Sequence, residues 1–277
     1  MKPVPTLPER GTLPCLYSAM STPRVEIFET ARAQVAVFTQ RSPEREDDNQ
    51  DAVLVLEHGI DTVIAAVADG AGGYPGGSAA SALALEALAR ACEEGQALPA
   101  RAAILNGFEA AHAAIKAAGG GAATTLAVIE LSGATLRTYH AGDSGIVVCG
   151  QRGRLRLQSV SHSPTGYAIE AGLLDAAEAL HHEDRHIVSN LLGLEPMSVE
   201  IGSPVAMAAL DTALIASDGL YDNLYLAEII DVMRKGALTH ACAALAAHAR
   251  SRMLDTRPGE PCKPDDLSVV LLRRTRG

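Results

Sequence analysis

Residues 62–73 read TVIAAVADGAGG, and the way this run ends decides how the chain is to be read. Val63 to Ala68 are apolar without alternation, the pattern of a strand buried on both faces. Asp69 follows at once, then glycines. A carboxylate at the tip of such a strand is held by a rigid sheet yet meets solvent, which pre-organises a ligand for a hard cation. Working outward, the same design recurs at YHAGDSG (139–145), LIASDGLYD (214–222) and KPDDLSVVLL (263–272), and an acidic stretch, REDDNQDAV (45–53), precedes the first of them. Taken singly, an Asp-Gly pair opens a turn or caps a helix. Taken together, carboxylates that converged without a cation would repel one another, so convergence implies bound metal.

The elements around these tips follow an order. Strands are expected at residues 25–28, 34–39, 52–56 and 62–68, followed by Ala- and Leu-rich helices at 78–92 and 99–118. A second set of strands is expected at 124–131, 135–140, 146–149 and 155–159. Residues 161–197 are mixed and rich in histidine, with short helices expected at 175–180 and 183–192, and read as an insertion over a site. A strand at 212–216, helices at 225–234 and 239–253, and a closing strand at 267–273 complete the chain. Strands, helices, strands, helices is the α+β order, not βαβ alternation. Residues 1–23, rich in Pro, Ser and Thr, read as a flexible arm before a single domain over 24–277.

Composition narrows the function classes. A formal charge of -10 opposes binding to nucleic acid or anionic lipid, and with no Trp, three Phe and six Tyr there is little for bases to stack on. The five cysteines are scattered without a C-x-x-C pair, which speaks against a disulfide framework or zinc knuckle and for a reducing, cytoplasmic location. No apolar run is long enough for a signal core or a membrane span.

With these pieces in view, the chain resembles the type 2C metal-dependent Ser/Thr protein phosphatases, in particular bacterial ones, from about residue 24 to 274. The matching segments, in family order, are NQDA (49–52), DGAGG (69–73), GAATTLAV (121–128), AGDS (141–144), SDGLYD (217–222) and DDLSVV (265–270), and residues 169–193 look like the family's flap. The resemblance implies a four-layer α/β/β/α sandwich with two central antiparallel sheets and a metal cluster at one end. It implies a hydrolase of phosphoserine and phosphothreonine that uses metal-activated water and two or three Mn²⁺ or Mg²⁺ ions. Carried over by position, Asp69 would bridge two ions, with the carbonyl of Gly70 on one and Asp218 and Asp265 on the other. Asp51 would orient the attacking water, and Asp143 and Asp222, with Asp218, would hold the third, weaker ion. The implied partners are phosphorylated proteins, a Ser/Thr kinase or its substrates.

Some positions depart from the family pattern. Where relatives carry the Arg that binds substrate phosphate stands Glu46, so Arg45 is expected to take that role, with Arg41 as a substitute. Gln50 replaces an acid, Ala71 a His found in some relatives, and Gly145 a frequent Arg. The changes at Glu46 and Gly145 motivate an alternative, a catalytically weak or inactive regulatory binding module. Other readings fit less well. GDSG at 142–145 resembles a serine-protease nucleophile segment but lacks its cysteine framework; the glycines of 70–77 lack dinucleotide spacing; His181 and His182 are adjacent rather than i, i+4, which does not suit zinc.

Overall fold

The computed structural model describes residues 12–22, 24–71 and 76–275. Strands β1 (Cys15–Ser18), β2 (Glu26–Glu29), β3 (Ala33–Gln40), β4 (Asp51–His58) and β5 (Thr62–Asp69) precede helices α1 (Gly77–Glu94) and α2 (Ala100–Ala118). Next come β6 (Leu126–Ser132), β7 (Thr135–Ala141), β8 (Gly145–Cys149) and β9 (Leu155–Gln158), then the short helices α3 (Pro164–Glu170) and α4 (Ala176–Ala179). The chain closes with β10 (Glu200–Ile201), β11 (Val205–Ala206), β12 (Thr212–Ala216), α5 (Asp218–Tyr221), α6 (Leu226–Met233), α7 (Leu238–Leu254) and β13 (Leu267–Arg274).

Two antiparallel sheets form the centre. One runs β1-β4-β5-β6-β7-β10 with β11 also on β7, the other β2-β3-β13-β12-β8-β9. Period-two alternation sorts each central strand between two cores. From β4 and β5, Leu54, Leu56, Ile64 and Ala66 pack with Leu85, Leu88 and Phe108 of α1 and α2. Their alternates Val53, Val55, Val63, Ala65 and Val67 meet Val35, Val37, Ile215, Val270 and Leu272 of the other sheet. On the far side Leu214, Val269 and Leu271 pack with Ile229, Cys242 and Leu245 of α6 and α7. The result is the expected α/β/β/α order. Burial on both faces explains why residues 63–68 are apolar throughout instead of alternating.

Two expectations need correction. Cys15–Ser18, within the stretch read as an arm, is a strand paired with residues 52–55 of β4, because β4 would otherwise leave an unpaired backbone edge. Residues 1–11 and 23 of that stretch lie outside the described residues. The helix expected at 183–192 is only a 3₁₀ turn at Glu183–His186. Beyond it Leu192 bridges to Thr124, exchanging backbone bonds of 2.9 and 3.2 Å, so sheet-edge pairing overrides helix propensity there. Helix α3 went unread although Ser163 caps it, accepting from the Gly166 amide, with Pro164 in its first turn. No helix among the described residues is long and apolar enough to cross a membrane.

Candidate metal centre

The strand alternation that builds the core also aims the acids. Asp51 and Asp69 share parity with Val53 and Val67, so both side chains project between the sheets at the same end of the sandwich, as register partners of β4 and β5. Asp266, in phase with Val270 and Leu272, comes to that end from the other sheet. Its Oδ1 accepts from the Ser42 amide at 2.6 Å and its Oδ2 from the Gln50 amide at 3.0 Å, which tethers the loop before Asp51. Asp218 opens α5 directly after β12, and Asp222 follows its last turn.

Electrostatics shows which side chains are neighbours. Burial, then the charges of Asp51, Asp218, Asp265 and Asp143, holds the Asp69 carboxyl well above the usual carboxylate range. Burial and Asp266 do the same to Asp51, against the hydroxyls of Ser217 and Ser268. Burial, Asp218 and Asp222 push Asp143 up to about 7. Burial and Asp218 push Asp222 and Asp265 up to about 6, with Lys263 opposing in both and Arg45 also opposing at Asp265. The structure thus brings Asp51, Asp69, Asp143, Asp218, Asp222 and Asp265 into one basin, with Gly70 at its edge on the chain after Asp69. Arg45 reaches it too. Its Nη2 donates to Asp265 Oδ1 and its Nη1 to Gln50 Oε1, each at 3.2 Å. Arg41 instead bonds the Glu46 carbonyl in the exposed loop.

Does this donor set suit divalent ions? All its members are hard oxygen donors, the type Mg²⁺ and Mn²⁺ prefer. Asp51 Oδ2 accepts from Ser217 at 2.8 Å, but its Oδ1 is buried without a hydrogen-bond partner. An orphaned buried carboxylate oxygen among like charges is costly unless a cation or a water held by one satisfies it. The donor set therefore fits.

Both Asp-Gly steps have a tertiary cause. A Cβ on Gly70 would lie 2.3 Å from the Gly77 carbonyl oxygen, and one on Gly219 1.9 Å from that of Asp266. Neither glycine has positive φ, so close backbone approach, not turn geometry, excludes a side chain. Gly145 is likewise filled from outside: a Cβ there would meet the Tyr221 ring at 2.4 Å, and an Arg at this place would displace Tyr221.

Several supporting residues escaped the sequence reading. Thr125 Oγ1 accepts from the Asp69 amide at 3.0 Å and bonds the Ser144 hydroxyl at 2.7 Å, tying two acidic tips together. His162 grips the loop of Asp143. The Gly142 amide donates to His162 Nδ1 at 3.1 Å and the His162 amide donates to the Gly142 carbonyl at 3.0 Å. His140, His162 and Glu200 bring possible ligand atoms within 4.8 Å of one another. Since His162 Nδ1 accepts from Gly142 and faces the Asn190 amide, its proton sits on Nε2 toward Glu200, while His140 stacks on the His162 ring and turns its own Nε2 to the Val160 carbonyl. No three basin aspartates close to that same mutual distance among the described residues. In their midst lies Lys263, which only the three-dimensional structure reveals as a member of the site.

The family model described as "Protein phosphatase 2C" matches residues 41–255. The chain is similar to the serine/threonine phosphatase stp of Listeria welshimeri, 27% identical over 82% of this chain and 90% of that one. It is similar in structure to the PPM Ser-Thr phosphatase MsPP of Mycobacterium smegmatis, solved with cacodylate, at 26% identity and TM-score 0.71 over 88% of this chain and 98% of that one. The catalytic domain of serine/threonine phosphatase PstP, solved with 2 manganese ions, superimposes with TM-score 0.71 at 23% identity, over 88% of this chain and 99% of that one.

Proposed function

This chain belongs to the protein phosphatase 2C family, and on that premise we propose that it is a metal-dependent phosphatase that hydrolyses phosphoserine and phosphothreonine in other proteins. The observation that carries the reading is the convergence of Asp51, Asp143, Asp218 and Asp265 on buried Asp69, each raising the cost of its charge. A set of this kind is stable only with counter-charge, and oxygen donors select hard divalent ions. Mn²⁺ and Mg²⁺ are the fitting choices, and the two manganese ions of PstP favour a pair.

Asp69, the Gly70 carbonyl, Asp218 and Asp265 hold the two ions in this reading. When bound, the ions supply a nucleophile from water at neutral pH and neutralise charge on the phosphate. Asp51, anchored through Ser217, uses its unpartnered Oδ1 to orient the attacking water and accept its proton. The Arg45 guanidinium, already at the basin, turns from Asp265 to the phosphate oxygens, for which its planar fork is suited. The cleft beside Asp143, Asp218 and Asp222, about 620 Å³ and lined by Ser161, Thr165, Ile169 and Tyr225, leaves room for the peptide around the phosphorylated residue. Phosphorylated proteins, among them a Ser/Thr kinase or its clients, are the partners. With all five cysteines as free thiols, a reducing cytoplasm suits the chain. The regulatory-module alternative loses its two motives, since Arg45 stands beside the basin in place of the residue at 46, and Tyr221 accounts for Gly145.

The test is hydrolysis of para-nitrophenyl phosphate and of phosphoserine and phosphothreonine peptides. Turnover that needs Mn²⁺ or Mg²⁺, stops with EDTA and returns on re-addition is the expected result. No turnover of either substrate class with either ion would overturn the reading.

A further inference from the structure

Lys263 stands where a metal centre has least use for a positive side chain. Its Nζ bonds Asp218 Oδ2, lies 2.8 Å from Asp222 Oδ2 in an ion pair off the hydrogen-bond direction, and 3.3 Å from Asp265 Oδ2. The placement is built, not incidental. The Asn223 side chain, fully buried, accepts from the Lys263 amide at 2.9 Å and donates to the Lys263 carbonyl at 2.8 Å. Pro264 next in the chain restricts the Lys263 backbone to extended conformations. Both ends of the residue are thus held so that the side chain points into the basin, where it is only 21% exposed.

One ammonium therefore touches two carboxylates, Asp218 and Asp265, that the family resemblance places on one ion, and a third, Asp222, that it places on a further ion. Like charges a few ångströms apart in a poorly solvated pocket repel strongly, so divalent ion and ammonium cannot share these oxygens freely. Closing Asp218 and Asp265 on an ion requires the ammonium to withdraw from between them. We propose that Lys263 is a tethered cation that competes with divalent ions for the Asp218, Asp222 and Asp265 side of the basin, weakening the ion bound there. The consequence is a centre that is held together by its own charge when metal is scarce and fills completely only when metal is plentiful.

This inference rests on the metal-dependent reading, and the experiment separates the two. Mn²⁺ binding to the full chain is measured by equilibrium titration with electron paramagnetic resonance for wild type, Lys263→Gln and Lys263→Arg. Lys263→Gln is expected to bind its weakest ion at least about tenfold more tightly, or to bind one more, while Lys263→Arg, which keeps the charge, stays close to wild type. Equal or weaker binding by a folded Lys263→Gln overturns the competition but leaves the metal centre standing. No binding by wild type overturns the metal reading and this one with it. A second measurement needs no variant. Competition is reciprocal, so saturating Mn²⁺ should increase acetylation of Lys263 by acetic anhydride, read by mass spectrometry against Lys116 and Lys235. Unchanged or reduced labelling of Lys263 overturns the proposal.

Discussion

Asp51 and Asp69 stand directly opposite each other in the β4–β5 ladder, two carboxylates in register at the end of paired, buried strands. Like charges placed this way destabilise a strand pair. From Ala52–Ala68 to Leu56–Ile64 the paired residues are all apolar, so the two acids stand out as a like-charge pair at the end of a buried ladder.

Asp69→Asn removes the charge that feels Asp51, Asp218, Asp265 and Asp143 at once. Two opposite effects are expected. Phosphatase turnover with Mn²⁺ should fall by about a thousandfold or more, as for loss of a group acting on the reacting centre. The metal-stripped protein should become more stable, by roughly 1–3 kcal/mol. Urea melts in EDTA and steady-state kinetics check the two halves separately.

Stability of the metal-stripped protein should decline as pH rises. Asp143 titrates at about 7 and Asp222 and Asp265 at about 6 in the folded chain, against about 4 when unfolded. Between those limits the native state binds more protons than the unfolded one, so ∂ΔG/∂pH is negative. Melting temperature in EDTA should therefore be higher at pH 5 than at pH 7.5. Saturating Mn²⁺ should flatten or reverse the trend, with protons released on binding as the carboxyls ionise.

Gly219→Ala should damage fold and site together. Its Cβ would lie 1.9 Å from the Asp266 carbonyl oxygen, which belongs to backbone and cannot swing away. A loss of about 2–4 kcal/mol is expected on denaturant melts, from strain at a close-packed contact. Weaker metal binding should accompany it, since Asp218 is the neighbouring residue.

Arg45→Ala should raise KM for phosphopeptides about tenfold or more with a smaller change in kcat, the signature of lost ground-state binding. Because Arg45 also pairs with Asp265, Arg45→Lys should restore charge but not the two-pronged contact, and so recover KM only in part.

Much of this site could be read before folding was considered. The acids announce themselves by bordering apolar runs, Asp69 and Asp218 after one and Asp51 and Asp265 before one, and order along the chain then separates a set of metal-type tips from ordinary turns. The glycine after Asp69 and Asp218 was legible as a signal but not as a cause, because the atoms that exclude a side chain, the carbonyls of Gly77 and Asp266, belong to other segments. The partners of His162 and Thr125 were illegible for a similar reason. Their roles are hydrogen bonds to the backbone of Gly142 and Asp69, and no spacing marks such a partner.

The sequence by itself determined the long strands and helices, their α+β order and the chemical character of the strand tips, since burial periodicity and donor type are local properties of the chain. Only the tertiary structure decided that β1 edges the sheet, that residues 187–192 leave the helix and end on the Leu192–Thr124 bridge, that Arg45 reaches Asp265, and that Lys263 sits among the acids. Those outcomes depend on register between distant strands and on how loops close over them. The same residues in another register would point their charges into solvent.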